Sequence, residues 1–270
     1  MDIDASSLRD GQDLRGEDLP VSHYHHKVRA KRLRREAASI YWSFNEKFWM
    51  PGRSYYAEAL DAQGQCKVIS SNPGQALWGE IVDPARAEAV AQRLFSPELF
   101  TGWGIRTLST GEARYNPLGY HNGTVWPHDN SLIAMGLGNY GRKEELLRLF
   151  TCLYEAAGSY KLFRLPELFG GFPREVYDIP IRYPVANSPQ AWSAGSIPYL
   201  LTAALGLVPH ALDQRLTLIK PSLPPWLEKV RINSLHVGNA SARLEFRRVG
   251  ESTLVNVVEK RGDLEVDVVY

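Results

Sequence analysis

The sequence has few cysteines, no long apolar run and almost no net charge. It contains two cysteines in 270 residues, Cys66 and Cys152, and their spacing fits no metal site. So few cysteines are typical of a cytoplasmic protein, whose thiols stay reduced. No apolar run approaches the roughly 20 residues that a membrane-spanning helix needs. Because 31 Lys and Arg balance 30 Asp and Glu, nothing in the overall charge favours nucleic acid or an anionic membrane as a partner. We therefore expect a soluble, cytoplasmic protein.

Several catalytic motifs are also missing from the sequence. It has no glycine-rich phosphate loop, no nucleophile elbow and no metalloprotease helix. These absences argue against nucleotide binding, serine-hydrolase chemistry and zinc proteolysis. We predict neither a metal site nor an organic cofactor.

Aromatic residues are more frequent than the rest of the composition suggests. They make up 11% of the chain, with 7 Trp and 13 Tyr, and several stand beside Gly, Asn, His and Asp. Aromatic rings beside hydrogen-bonding side chains suit sugars, whose C–H faces stack on the rings while polar groups bind the hydroxyls. The alternative for any single ring is that it fills a hydrophobic core.

The pattern along the chain divides it into three parts. Residues 1–25 carry many charges and no periodicity, which predicts a disordered leader. Apolar residues recur at helical spacing over much of 26–210, whereas period-two alternation and turn signals mark 211–270. We therefore predict a mainly α protein whose helical body is followed by a small antiparallel β module.

Two carboxylates lie among polar and aromatic loop residues. Glu167 stands between Pro166 and Leu168 in RLPELFGGF, so its side chain is expected in a partly apolar wall that tunes its pKa. Asp129 follows Trp126-Pro127-His128 at a predicted helix start. The alternatives are a surface acid in a turn for Glu167 and a helix-capping or first-turn acid for Asp129.

Six segments together resemble one known family. They match, in order, the carboxy-terminal catalytic domain of the bacterial and archaeal glycogen-debranching-enzyme-like, or amylo-α-1,6-glucosidase-like, proteins. The resemblance runs from about residue 40 to 245, and GWGIRTL, HNGTVWPHDN and SPQAWSAG are its most specific motifs. The segments are FNEKFWMP (44–51), SNPGQALWGEIVDP (71–84), GWGIRTLS (102–109), YNPLGYHNGTVWPHDNSLIA (115–134), LPELFGGF (165–172) and YPVANSPQAWSAG (183–195).

The resemblance implies a fold, a reaction and a set of site residues. The fold would be an (α/α)6 toroid, of which this chain would form a part over residues 26–210. Enzymes of this architecture invert the anomeric centre with a general acid and a general base about 6.5–9.5 Å apart. Glu167 stands where they carry the base. For Arg106, a structural bond to loop carbonyls is the alternative to a place in the pocket wall. The expected sugar-binding residues are Trp126, His128 and Asp129, together with Tyr120, His121, Trp103, Arg106, Gln190 and Trp192.

The chain departs from the family in one respect that bears on activity. The upstream half of the barrel, where the general acid is expected, has no counterpart, so the chain is expected to be an amino-terminally truncated member. Loss of that acid removes a factor of about 10²–10⁴ in rate. The sequence thus predicts either a hydrolase of α-glucosidic bonds, weakened or inactive, or a catalytically silent carbohydrate-binding or assembly module. Open helix faces would favour self-association or a partner chain that completes the barrel.

Overall fold

The computed structural model of the protein describes residues 21–270. The disordered leader predicted for residues 1–25 falls, up to residue 20, outside the described residues, and the first helix begins at Val21. Within this range seven α-helices follow one another: α1 Val21–Lys47, α2 Pro73–Trp78, α3 Pro84–Leu94, α4 Pro127–Asn139, α5 Lys143–Ala157, α6 Ala191–Ala194 and α7 Ser196–Leu205.

The described residues also form ten strands. Strands β7, β8 and β9 make an antiparallel sheet, and β5 and β6 form a second sheet in which β10 pairs with β6 in parallel. The remaining four strands are two short hairpins. The strands are β1 Trp49–Met50, β2 Tyr55–Tyr56, β3 Ala59–Asp61, β4 Gly64–Cys66, β5 Leu207–His210, β6 Arg215–Ile219, β7 Lys229–Val237, β8 Ala240–Val249, β9 Ser252–Arg261 and β10 Glu265–Val269.

The prediction of a mainly α, partial (α/α)6 toroid followed by an antiparallel β module was wrong. The fold is mixed, with about 37% helix, 25% strand and four small sheets. Two long stretches, 95–126 and 158–190, contain turns, isolated bridges and one 3₁₀ turn but no α-helix. Their many Gly, Pro and Asn residues disfavour a continuous helix because they lower helix propensity and favour turns. The parallel pairing of β10 with β6 also departs from the predicted antiparallel module.

Local sequence signals explain where several helices begin and end. Helix α3 begins at Pro84, and the Asp83 side chain caps it by accepting a hydrogen bond of 3.0 Å from the Ala85 backbone N–H. Helix α7 ends at Gly206, which has φ 63°. A β-carbon there would lie 2.0 Å from the Ile219 carbonyl oxygen, so only glycine fits at this junction with β6.

Helix α4, which carries the site motif, lies directly against α2. A β-carbon at Gly136 would lie 2.4 Å from the Trp78 backbone nitrogen, and one at Gly74 would lie 2.6 Å from Ile133 Cγ1. The two helices therefore approach at glycines on both sides of the contact. This close packing fixes α4 against α2.

The apolar side chains form two clusters. One includes Leu77, Ile133 and Phe150 and lies among α2, α3, α4, α5 and α7. The other includes Leu218 and Phe246 and lies between the two three-stranded sheets and the end of α7. The boundary predicted at residue 210 stays a prediction. Over the described range, none of the helices combines the length and the hydropathy that crossing a membrane requires.

Candidate functional site

Glu167 lies in an extended segment that is bonded to two other parts of the chain. Its backbone N–H donates to the Asn187 carbonyl oxygen at 2.8 Å. Two residues further on, Phe169 and Val125 exchange backbone hydrogen bonds of 2.9 and 3.0 Å. These bonds bring the Glu167 side chain, in a residue only 9% exposed, beside the residues that precede α4.

Both carboxylate oxygens of Glu167 accept hydrogen bonds. The Tyr120 hydroxyl donates to Oε1. The Asn187 backbone N–H and side-chain Nδ2 donate to Oε2 at 3.2 and 3.1 Å. The Tyr120 hydroxyl first, and then the Asn187 backbone N–H, lower the pKa of Glu167 from its ordinary value of 4.5. The carboxyl group therefore stays ionised in mildly acidic solution, as a general base must.

Tyr120, which contacts this carboxylate, belongs to a cluster of five rings. The Tyr120 ring meets the Trp126 ring edge-on at 4.8 Å between centroids, and the His121 ring stacks on Trp126 at 5.3 Å. His128 lies 5.6 Å from Trp126 and 4.8 Å from Trp192. Trp192 is 66% exposed and offers a free aromatic face of the kind on which sugar C–H groups stack. Five of the residues expected to bind sugar thus lie together.

Asp129 lies in the first turn of α4, next to these rings. Its Oδ1 accepts a hydrogen bond of 3.2 Å from Gln75 Nε2 and lies 3.6 Å from His128 Nε2. Burial raises the pKa of Asp129, while the nearby His128 and His121 oppose that rise. Asp129 therefore lies in the first turn of a helix, as its alternative interpretation expected. Its carboxylate contacts Gln75 and His128, and His128 is one of the five clustered rings.

Two of the expected wall residues point away from Glu167. Trp103 is 4% exposed, and its Nε1 lies 3.4 Å from the Tyr177 carbonyl oxygen. Arg106 is 2% exposed, and its Nη1 donates to the Glu98 carbonyl oxygen at 3.1 Å. Arg106 thus makes the bond to a loop carbonyl that was the alternative to a pocket role.

Gln190 lies near the site through one serine. The Ser193 hydroxyl is within hydrogen-bond distance of Gln190 Oε1, at 3.1 Å, and of the Glu167 carbonyl oxygen, at 3.3 Å. Gln190 is therefore linked to the Glu167 backbone through the Ser193 hydroxyl.

Two contributors were not predicted from the sequence. Asn187, in the segment YPVANSPQ, and Gln75, in SNPGQ, hold the two carboxylates. Both segments belong to the family resemblance, but no spacing pairs them with Glu167 or Asp129. Their pairing depends on the tertiary fold.

A cavity of about 710 Å³ opens beside Asp129 and His121. Glu58, Asn72 and Thr107 contribute further hydrogen-bonding groups to its wall. Its size falls within the range of small-molecule sites. Among residues 26–270, whose side chains are described, no three His, Cys, Asp or Glu residues are grouped so as to hold a metal ion.

Comparison with known proteins supplies a family. The family model of the mannosylglycerate hydrolase MGH1-like glycoside hydrolase domain matches residues 22–163. A mannosylglycerate hydrolase from Rubrobacter radiotolerans is 32% identical over 140 residues, which are 49% of this chain and 31% of that protein. The chain therefore spans about a third of the length of this relative.

One of the solved structures to which the chain is similar shows a likeness of fold. A sialidase superposes with a TM-score of 0.59 and 11% identity over 88% of this chain and 23% of the sialidase chain. A mannosylglycerate hydrolase from Thermus thermophilus, solved with glucose, gives a TM-score of 0.46 and 20% identity over 58% of this chain and 37% of its own. Because the family model covers more than half of the chain, the chain belongs to the MGH1-like glycoside hydrolase family. This confirms the expected glycoside hydrolase kinship, whereas membership of the debranching-enzyme family stays a prediction.

Proposed function

We propose that this chain binds a glycoside beside Glu167 and hydrolyses its glycosidic bond with inversion. The observation that carries this proposal is the Glu167 carboxylate, which has donors on both oxygens. One of these donors, Tyr120, belongs to the ring cluster, and another ring of that cluster, His121, borders the cavity of about 710 Å³. The family match ends at residue 163, so the role of Glu167 rests on its own geometry and on the resemblance of LPELFGGF.

In the proposed reaction, Glu167 acts as the general base. A water molecule next to the carboxylate attacks the anomeric carbon, and its proton passes to Glu167 as the new C–O bond forms. The bond to the leaving group breaks on the opposite face of the sugar, and the leaving group departs with the electron pair. A natural alcohol leaving group also needs a proton from a general acid.

We propose a small mannoside or glucoside as the substrate. Support comes from the compact ring cluster around Trp126 and from the name of the Rubrobacter radiotolerans relative. Mannosylglycerate is therefore the first natural compound to test, with maltose, isomaltose and branched dextrin as tests of the α-glucosidase and debranching predictions. The exposed Trp192 ring would cover one face of the sugar.

Glycosyl fluorides test the proposed general base, Glu167, in a reaction that needs no general acid. Fluoride leaves without protonation, so α-mannosyl and α-glucosyl fluoride need only a bound sugar, a water and Glu167. We expect fluoride release by the unaltered chain and a loss of about 10²–10⁴-fold in Glu167→Gln. Glu144→Gln, an exposed acid in the first turn of α5, is the matched control and should retain full activity.

The outcomes separate the base assignment from the activity itself. Unchanged fluoride release in Glu167→Gln would refute Glu167 as the base. Sugar binding by calorimetry without fluoride release from either compound would refute hydrolysis by this chain.

That second result would favour the alternative function, a carbohydrate-binding module. One observation supports this alternative. Besides Glu167, Asp129 is a described carboxylate that lies beside the same rings. Its Oδ1 already contacts the side chains of Gln75 and His128. Light scattering on the same samples tests the predicted self-association.

A further inference from the structure

Asn187 contacts Glu167 through three separate hydrogen bonds. Its carbonyl oxygen accepts from the Glu167 backbone N–H at 2.8 Å. Its own backbone N–H and its Nδ2 both donate to Glu167 Oε2, at 3.2 and 3.1 Å. The backbone bond fixes the relative position of the two residues, so the side-chain amide reaches the carboxylate with little freedom left to lose.

We propose that Asn187 is a positioning residue for Glu167, and that with Tyr120 it orients the carboxylate to accept a proton from the attacking water. This inference rests on the proposed role of Glu167 as base. Asn187 itself need not touch the substrate.

The two donors act on different oxygens of the carboxylate. Tyr120 donates to Oε1, and Asn187 donates twice to Oε2. A carboxylate oxygen accepts two hydrogen bonds in favourable directions, so Oε1 keeps a free acceptor position while Oε2 is filled. The water that is to lose its proton would therefore bind Oε1, on the side of Tyr120 and the rings.

A structural role alone does not explain the contact. Asn187 is an exposed residue, and Nδ2 makes its hydrogen bond to Glu167 Oε2. The backbone bonds between the two residues would hold the 183–190 segment without any side-chain amide. An amide aimed at the carboxylate instead changes the charge state and direction of Glu167, because donors to the ionised form favour it.

The direct test is the titration of Glu167 by NMR in the full chain, which needs no catalytic activity. Glutamate labelled with ¹³C at the carboxyl carbon is incorporated, and the Glu167 resonance is assigned by its loss in Glu167→Gln. We expect the titration midpoint to move to higher pH in Asn187→Ala and in Tyr120→Phe, and further in the double variant. Asn187→Asp has the same shape but replaces a donor with an acid, so it should move the midpoint furthest.

Kinetics supply the second readout, with α-mannosyl or α-glucosyl fluoride as substrate. In Asn187→Ala the acidic limb of the kcat/KM profile should move to higher pH. Activity at the acidic end should fall by about 10-fold, a size typical of a misplaced catalytic group. KM should change little. Asn256→Ala on β9 and Tyr154→Phe on α5 lie outside the site and are the matched controls.

The results distinguish this inference from the proposed function. An unmoved Glu167 midpoint in both Asn187→Ala and Asn187→Asp, with unaltered far-ultraviolet circular dichroism, would overturn the positioning role even if the chain hydrolyses glycosides. A moved midpoint in a chain that releases no fluoride would uphold the carboxylate contact and refute the activity.

Discussion

Replacing Asn130 by Ala should destabilise the protein more than any other single change to its polar side chains that we consider. Asn130 is 1% exposed and joins α4 to the loop that carries GWGIRTL. Its Oδ1 accepts from the Ile105 backbone N–H at 2.6 Å, and its Nδ2 donates to the Ile105 and Trp126 carbonyl oxygens at 2.9 Å each. One side chain thus satisfies both backbone groups of a buried loop residue.

The magnitude follows from the groups that are left without partners. In Asn130→Ala, the Ile105 N–H and carbonyl oxygen lose the Asn130 side-chain bonds in a place where Ile105 is 1% exposed. Trp126 keeps a partner, because the Asn130 backbone N–H also donates to its carbonyl oxygen at 3.1 Å. A buried, unsatisfied polar group costs about 1–3 kcal/mol, so two such groups predict a loss of about 2–6 kcal/mol. A typical free energy of unfolding is about 5–15 kcal/mol, so the loss is a large fraction of it.

Urea unfolding followed by circular dichroism measures this loss. The matched control is Asn139→Ala in the same helix, where the side chain is exposed and donates to Glu80 Oε1 at 3.2 Å. The control should change the free energy of unfolding by less than about 0.5 kcal/mol. A loss below about 1 kcal/mol in Asn130→Ala would show that water or a shifted loop satisfies Ile105, and would refute the reasoning.

Two further predictions concern α4. Asp129→Asn should weaken sugar binding in calorimetry while leaving the melting temperature at pH 7 equal or higher, because Asn keeps an acceptor for Gln75 and removes a buried charge. A lower melting temperature at pH 7 would contradict a raised pKa of Asp129 in the fold. Gly136→Ala should lower the free energy of unfolding by about 1–3 kcal/mol in the same urea assay, because the new β-carbon would lie 2.4 Å from the Trp78 backbone nitrogen. Gly52→Ala, which has open space around it, is the control, and equal losses in the two variants would refute the contact.

Local signals in the sequence predicted individual elements better than their arrangement. The start of α3 at Pro84 after Asp83, the apolar face of α5 and the position of Gly206 directly after α7 all follow from such local signals. These features depend on residues within one or two turns of each other. The toroid was wrong because loop segments and the parallel pairing of β10 with β6 depend on contacts between distant parts of the chain.

The site shows the same division between local and distant contacts. The family resemblance placed Trp126, His128 and Asp129 in the sugar site. They are neighbours in HNGTVWPHDN, and their rings and carboxylate lie together. Arg106 stood in an equally distinctive motif, yet its side chain bonds a loop carbonyl. A motif therefore identifies a segment near the site, whereas the direction of each side chain depends on the strand or turn that carries it.

The two carboxylates of the site differ in their environment, so their pKa values move in opposite directions and their ionisation has opposite effects on the stability of the fold. Three hydrogen bonds are donated to the Glu167 carboxylate, and its pKa is lowered from 4.5. The contribution of Glu167 to the stability of the fold is therefore present above pH 4.5 and is lost as the pH falls through the lower pKa of the folded protein. Asp129 is desolvated, and its pKa is raised from 3.8; it therefore disfavours folding as the pH rises from 3.8 through the folded pKa. Glu167 thus stays ionised at pH values above its own titration, while Asp129 carries a charge that the fold disfavours. A bound sugar hydroxyl that donates to Asp129 would relieve this desolvation, so the same burial that weakens the fold would strengthen sugar binding.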